Sequence, residues 1–404
     1  MVNFKGVKIA YFCRNTFSDM AGNYRMLAKT LFGFEPLLAK ELRNLGAGNV
    51  QEGVRNVSFD GDLGFMYKAN LCLRTALKIM KPISRFKVSH EKELYRNVYA
   101  IDWPQLFGKD KTFAIDTTMS SDVFRNSMFV SQRAKDAIVD KFREVTRERP
   151  NVDSHDPDVR INIHLYRNNC TVSLDSSGTS LHQRGYRITT NIAPINEVLA
   201  AGLIMHSGWD GQTDFLDPMC GSGTILIEAG MIACNIPANI NRESYAFMRW
   251  NDYDAELHEK IVNASLNKTR EFHHKIIGYD KAPSAVRKAQ ENVEIANLED
   301  YISIERKDFF RTEKPVDSKL HMVFNPPYGE RLQIDPEVFY GKIGDTLKQA
   351  YPGTDAWLIS SNLDALKHVG LKTSRRIKVF NGKLESRLVM YEMYAGSKKG
   401  NTGA

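Results

Sequence analysis

The C-terminal half of this chain predicts an α/β fold with a doubly wound, Rossmann-like sheet, preceded by an α+β module. Three observations carry this. The short apolar strand Thr213 to Leu216 runs into Asp217-Pro-Met-Cys-Gly-Ser-Gly-Thr224 and then the apolar helix Ile225 to Ala233. Further strand-like runs end on acids, at Asp280 and Asp308. A last run, Met322 to Phe324, ends on Asn325-Pro-Pro-Tyr328. Polar residues at successive strand ends mark the carboxyl edge of an open α/β sheet, where ligands sit.

At 404 residues and 42% hydrophobic content the chain can bury two or three domain cores. Its five cysteines, Cys13, Cys72, Cys170, Cys220 and Cys234, are odd in number and unpaired in spacing, which argues against a disulfide framework and a zinc site. No metal is expected. A net charge of +7 favours a polyanionic partner, although enzymes with neutral substrates share such values. No window is apolar enough for a membrane span, and the start, Met1 to Phe12, lacks a cleavage signal, so the expected location is cytoplasmic.

Residues up to about Arg25 show no period. From Met26 a strand around Leu27 to Leu31 precedes an amphipathic helix, Glu35 to Leu45, stopped at Gly46. A strand at Val54 to Phe59 follows, and Leu71, Ala76, Leu77 and Met80 fall at helical spacing, predicting a helix over Leu63 to Met80 before Pro82. A strand near Arg85 to Val88, a helix near Glu91 to Ile101 and a strand at Thr112 to Thr118 come next. The helix Ser131 to Arg147 mixes basic and acidic residues, as a solvated face would, and Val159 to Leu165 with Thr171 to Leu174 reads as a β-hairpin.

A basic and aromatic joint, Leu181-His-Gln-Arg184-Gly-Tyr186-Arg187, leads to a helix over Asn196 to Ser207. Arg184 and Arg187 could pair with phosphate while Tyr186 stacks, and a plain linker explains them as well.

In the turn after Asp217, Gly221 and Gly223 permit close backbone approach, and the following helix offers free amides to an anion. Leu226 stands where a dinucleotide fingerprint needs its third glycine, and no lysine follows Gly223 as a phosphate loop requires. An acid beside an anion-binding turn suits a zwitterion, and S-adenosylmethionine has that form. Asp280 could accept from a ribose diol, Asp308 from an adenine amino group, and Phe309 could pack on the ring. Each acid alone reads first as a helix cap or turn residue; their order is what counts. At the last strand end, Pro326 and Pro327 stiffen the turn and remove two donors, so the carbonyls and the Asn325 amide oxygen form a fixed acceptor cluster. With Tyr328 as a stacking face, this suits the exocyclic amino group of a nucleobase, although Pro-Pro turns also end ordinary strands.

Together, Gly33-Phe-Glu-Pro-Leu-Leu, Asp136-Ala-Ile-Val-Asp, Leu181-His-Gln-Arg-Gly-Tyr-Arg, Asp217-Pro-Met-Cys-Gly-Ser-Gly-Thr and Asn325-Pro-Pro-Tyr-Gly-Glu-Arg-Leu carry a resemblance. From Met26 onward the chain resembles the bacterial THUMP-domain RNA guanine-N2 methyltransferases, most closely the N-terminal half of the large-subunit rRNA enzyme. The resemblance implies a leader (1–25), a ferredoxin-like subdomain (26–82), a THUMP domain (83–176), a linker (177–195), a class I methyltransferase domain (196–396) and a tail (397–404). It accounts for the insert from Asn235 to His274, with Phe247, Trp250 and Tyr253, and leaves out the second methyltransferase domain of fused relatives. The expected activity is methylation of guanosine N2 in 23S rRNA. The candidate cofactor residues are Asp217, Pro218, Cys220, Gly221, Gly223, Thr224, Asp280, Asp308, Phe309 and Asn325. Asn325, Pro326, Pro327 and Tyr328 would be catalytic, and Arg184, Tyr186, Arg187 and Arg331 would meet RNA. A tRNA guanosine, an adenine N6 in DNA or RNA, and a non-catalytic RNA-binding role in ribosome assembly are the alternatives.

Overall fold

The computed structural model describes residues 22–187, 194–327 and 335–394. Most of the leader, the tail, Tyr328 and Arg331 therefore lie outside the described residues.

The N-terminal module contains β1 (Tyr24–Thr30), α1 (Glu35–Leu45), β2 (Gly48–Glu52), β3 (Asn56–Gly61), α2 (Leu63–Cys72) and β4 (Ala76–Lys87). It continues through α3 (Glu91–Tyr99), α4 (Trp103–Leu106), β5 (Thr112–Ser120), α5 (Ser127–Thr146), β6 (Asn151–Val152), β7 (Val159–Tyr166) and β8 (Asn169–Asp175). All eight strands form one sheet, ordered β2-β3-β1-β4-β8-β7-β5-β6. The long strand β4 unites the two α+β units: Ala76 to Met80 pair with β1, and Met80 to Lys87 with β8.

This corrects the helix expected over Leu63 to Met80. The helix ends at Cys72, and Ala76, Leu77 and Met80 lie in β4. Their apolar spacing comes from burial on different sides of a strand shared by two units, which no helical period can distinguish. Pro82 is tolerated inside the strand because the register slips between Pro82 and Ser84, at an irregularity where a missing donor does little harm.

The C-terminal domain contains α6 (Glu197–Ser207), β9 (Asp214–Asp217), α7 (Thr224–Ala233), α8 (Ala255–Leu266), β10 (Ile276–Asp280), α9 (Pro283–Ile295) and β11 (Ile302–Arg306). Then come β12 (Leu320–Phe324), α10 (Pro336–Ala350), β13 (Thr354–Ser360), β14 (Arg375–Asn381) and β15 (Leu384–Met393). The sheet order is β11-β10-β9-β12-β13-β15-β14, with β15 antiparallel to both its neighbours. From β9 the chain winds outward to β11, then returns across the sheet to β12. The winding reverses between the carboxyl ends of β9 and β12, the place where such sheets bind ligands.

Side chains mortise the two halves together. Phe34, fully buried, belongs to the C-terminal core, where its ring meets His206 with centroids 5.2 Å apart. It fits because residue 202 in α6 is glycine: an added Cβ would strike the Phe34 ring. Gly202→Ala is expected to destabilise the protein by about 1–3 kcal/mol despite alanine's better helix propensity, because the core must shift. Urea denaturation of Gly202→Ala alone and with Phe34→Leu checks this, since the smaller ring should absorb most of the loss.

The insert forms a second clasp. Phe247 stacks on Tyr67 of α2 at 4.5 Å and on Tyr245 at 5.0 Å, and the Asp254 amide donates to the Tyr67 hydroxyl at 3.0 Å. Its aromatic residues are thus core between domains. Among the described residues no helix is long and apolar enough to cross a membrane, and no cluster of His, Cys, Asp or Glu is arranged to hold a metal ion.

Candidate functional site

The carboxyl edge of the sheet is built by register. β12 runs beside β9 with Met322 level with Leu216, so Asn325 leaves the sheet at the same edge as Asp217. On the other side of β9, Gly278 is level with Asp217, and Asp280 is level with Arg306 of β11. Across the sheet edge the ends therefore come in the order Asp308, Asp280, Asp217 and Asn325.

Asp217 is 1% exposed, and its Oδ1 accepts from the Met219 amide at 3.1 Å. Burial, aided by the neighbouring Asp280 charge and opposed by that amide, pushes its carboxyl up to about 8. Asp280 is half-buried; its Oδ2 accepts from the Gly221 amide at 3.0 Å and its Oδ1 from the Ala282 amide at 2.9 Å. Burial raises this carboxyl as well. Asp280 thus holds the glycine turn against β10 and leaves each oxygen one further lone pair for a ligand. Asp308 caps the short turn that follows it, its Oδ1 accepting from the Phe310 amide at 3.2 Å.

The turn itself is held by backbone. Pro218 is buried, the Cys220 amide donates to the Tyr279 carbonyl at 2.9 Å, and the Gly223 amide to the Cys220 carbonyl at 2.8 Å. Gly223 has a φ of 81°, and a Cβ there would lie 3.3 Å from the Ala289 Cβ, so glycine serves both the left-handed turn and the approach of α9. As N-cap of α7 it supplies no side-chain acceptor, so the first-turn amides have none of the usual capping and present the positive end of the helix dipole. A ligand with a carboxylate for those amides and an ammonium for Asp217 fits these residues.

Asn325 and Pro327 are half-buried and Pro326 is buried. Several sequence expectations need correction. Cys220 is 6% exposed and belongs to the core, where its thiol faces Gly278, so the side chain is unavailable to a ligand. Phe309 is 2% exposed, its ring engaged by Phe324 at 5.9 Å and Tyr351 at 5.5 Å, which leaves no face for adenine. Arg184 and Tyr186 do not face RNA: they are 1% and 0% exposed. Arg184 Nε lies 3.2 Å from Glu228 Oε1, the Tyr186 hydroxyl donates to the same oxygen at 3.1 Å, and Arg184 Nη2 donates to the Arg74 carbonyl at 2.6 Å. Arg187 also turns inward, onto Glu197 and Thr224. These basic residues of the joint were drawn in by acids on α6 and α7. One signal was available: Glu228 is a lone charge in the apolar helix α7, which demands a buried partner.

The geometry has counterparts among known proteins. Residues 184–390 match the RMKL-like methyltransferase domain, 88–175 the THUMP domain and 25–80 the RlmL ferredoxin-like domain. The chain belongs to the RMKL-like methyltransferase family. Within this family's similar proteins is the ribosomal RNA large subunit methyltransferase K/L of Shewanella amazonensis, 37% identical over 91% of this chain and 53% of that one. This RMKL-like chain spans about half the length of the K/L relatives it matches. A Synechocystis protein described as an RNA methyltransferase is 35% identical over 90% of this chain and 95% of its own length. Among solved structures, SMU.472, described as a methyltransferase and complexed with S-adenosylhomocysteine, superposes with a TM-score of 0.83 at 29% identity, covering 94% of this chain and 100% of that one.

Proposed function

We propose that this RMKL-like chain is a cytoplasmic, S-adenosylmethionine-dependent RNA methyltransferase acting on the exocyclic N2 of a guanosine in 23S rRNA. The observation that carries this is the pairing of β9 with β12, which sets an acid and glycine turn beside an Asn-Pro-Pro strand end at one sheet edge. When bound, the cofactor supplies an electrophilic methyl group on a sulfonium.

The protein's part is to hold and orient. Asp217 faces the ammonium, the α7 amides the carboxylate, and Asp280 and Asp308 the nucleoside. Asn325 Oδ1 and the Pro326 carbonyl accept the two protons of the guanine amine, drawing a nitrogen otherwise conjugated to the ring towards tetrahedral geometry. Its lone pair would then be free to take the methyl group, the N–C bond forming as the C–S bond breaks to leave S-adenosylhomocysteine, and one amine proton would pass to water. Positioning of this kind supplies most of the rate. The base must be unpaired or flipped out to reach the site, where Tyr328 is assigned the stacking face and Arg331 an RNA contact, both outside the described residues. Incubation with labelled S-adenosylmethionine and undermodified rRNA, tRNA or DNA, followed by nucleoside analysis, tests the proposal. N2-methylguanosine in rRNA is expected; the same product in tRNA alone would move the substrate, and N6-methyladenine would overturn the base.

Proton linkage gives a second check. An acid raised on folding takes up a proton in the native state, so Asp217 contributes most to stability below its unfolded value of about 3.9, and that contribution is lost as pH rises through about 8. A ligand ammonium reverses the preference. S-adenosylhomocysteine is therefore expected to release a proton at about pH 7 and to bind more tightly as the pH approaches about 8. Calorimetry in buffers of different ionisation enthalpy measures this; Asp217→Asn should abolish the release.

A further inference from the structure

Arg187 reaches from the joint between the two halves to the start of the cofactor turn's helix. Its Nη2 donates to Thr224 Oγ1 at 2.6 Å and to the Ile195 carbonyl at 3.0 Å, while Nη1 lies 3.3 Å from Glu197 Oε1. Thr224 opens α7 and Glu197 opens α6, so one guanidinium pins the first turns of two packed helices. The side chains of Arg187 and Glu197 are only 12% and 3% exposed, and burial pushes the Glu197 carboxyl up to about 7 against the opposing pull of Arg187. Among the described residues Arg187 Nε and Glu197 Oε2 have no partner. The pair is thus not closed into a two-point fork; the guanidinium is turned instead to reach Thr224 and Ile195.

Arginine can only donate, so Thr224 Oγ1 accepts from it and the hydroxyl proton must point away from Arg187. The same residue contributes its amide to the uncapped end of α7. We infer that Arg187 is a positioning residue for cofactor binding: braced by Glu197, it sets the Thr224 hydroxyl and the first-turn amides of α7 that receive the cofactor's carboxylate. This rests on the cofactor assignment above and extends it to the joint. Arg184 and Tyr186 of the same stretch hold Glu228 one turn further along α7, and Arg184 also holds the Arg74 carbonyl of the N-terminal module.

The test is calorimetric titration of the full chain with S-adenosylhomocysteine, for the wild type, Arg187→Gln, Thr224→Val and the double variant, with RNA affinity measured alongside. Each single change is expected to weaken binding about tenfold, and the double variant no further, because both remove one contact. RNA affinity should hold, and in methyl transfer the cofactor KM should rise while kcat at saturation is kept, a split that general loosening would not produce. Wild-type cofactor affinity in Arg187→Gln, additive losses, or lost RNA affinity with cofactor binding intact would each overturn the inference. If Arg187→Gln does not fold, Thr224→Ser against Thr224→Val decides: the serine must bind as wild type and the valine must not. A wild type that binds no S-adenosylhomocysteine removes the cofactor assignment and this inference together, whereas unaffected variants of a binding wild type remove only the inference.

Discussion

Asn325→Ala is expected to lower kcat for methyl transfer by about a thousandfold while S-adenosylhomocysteine affinity changes by no more than about threefold. The asymmetry follows from where Asn325 stands. It leaves the sheet at the end of β12, next to β9, whereas the charges and amides assigned above to the zwitterion belong to β9, α7 and β10. Removing the amide should leave the nitrogen of the target base held by the Pro326 carbonyl alone, with its lone pair still conjugated to the ring. Asn325→Asp is a useful companion. It keeps an acceptor oxygen and so should retain more activity than alanine. Single-turnover rates at saturating cofactor and RNA separate chemistry from binding, and a near-wild-type rate in Asn325→Ala would remove it from the reaction.

Arg184→Met should be the most destabilising single change at the joint, costing about 3–5 kcal/mol. Both Arg184 and Glu228 side chains are 0% exposed, and Glu228 Oε2 has no partner among the described residues, so the methionine variant would leave a buried carboxylate without its cation, with only the Tyr186 hydroxyl as donor. Three carbonyl and amide acceptors, on Leu181, Arg74 and Asn239, would lose their donor as well. Adding Glu228→Leu should recover much of the loss, since exchanging a buried pair for apolar residues is far cheaper than breaking it. Urea unfolding midpoints of the two single variants and the double measure this; a double variant worse than Arg184→Met would show that the acceptors, rather than the stranded charge, dominate.

The candidate site was legible where it depends on local backbone. Glycine at 223 and proline at 326 and 327 state their conformations in the sequence, because a left-handed turn and a stiff acceptor turn each need one residue type. The acids at 217 and 280 were equally legible as strand ends, since each closes a short apolar run, while Asp308 caps the turn two residues beyond β11. What side chains do at a distance was not. Cys220 and Phe309 sit inside the ligand motif by position and inside the core by packing. Local pattern carries no information on which way they turn.

The same distinction separates the two halves of the molecule. From its sequence alone the chain determined an α/β domain with a glycine turn after β9, an Asn-Pro-Pro strand end at β12 and a basic joint, because period, glycine and proline act within a few residues. Only the tertiary structure decided that β4 joins both N-terminal units into one sheet, that Phe34 and the aromatic insert lock that module to the catalytic domain, and that Arg184, Tyr186 and Arg187 point inward. The reason is electrostatic and steric. A buried carboxylate such as Glu228 requires a cation, and a glycine such as Gly202 admits a ring, but the residues that answer them come from distant parts of the chain and meet only when the domains close.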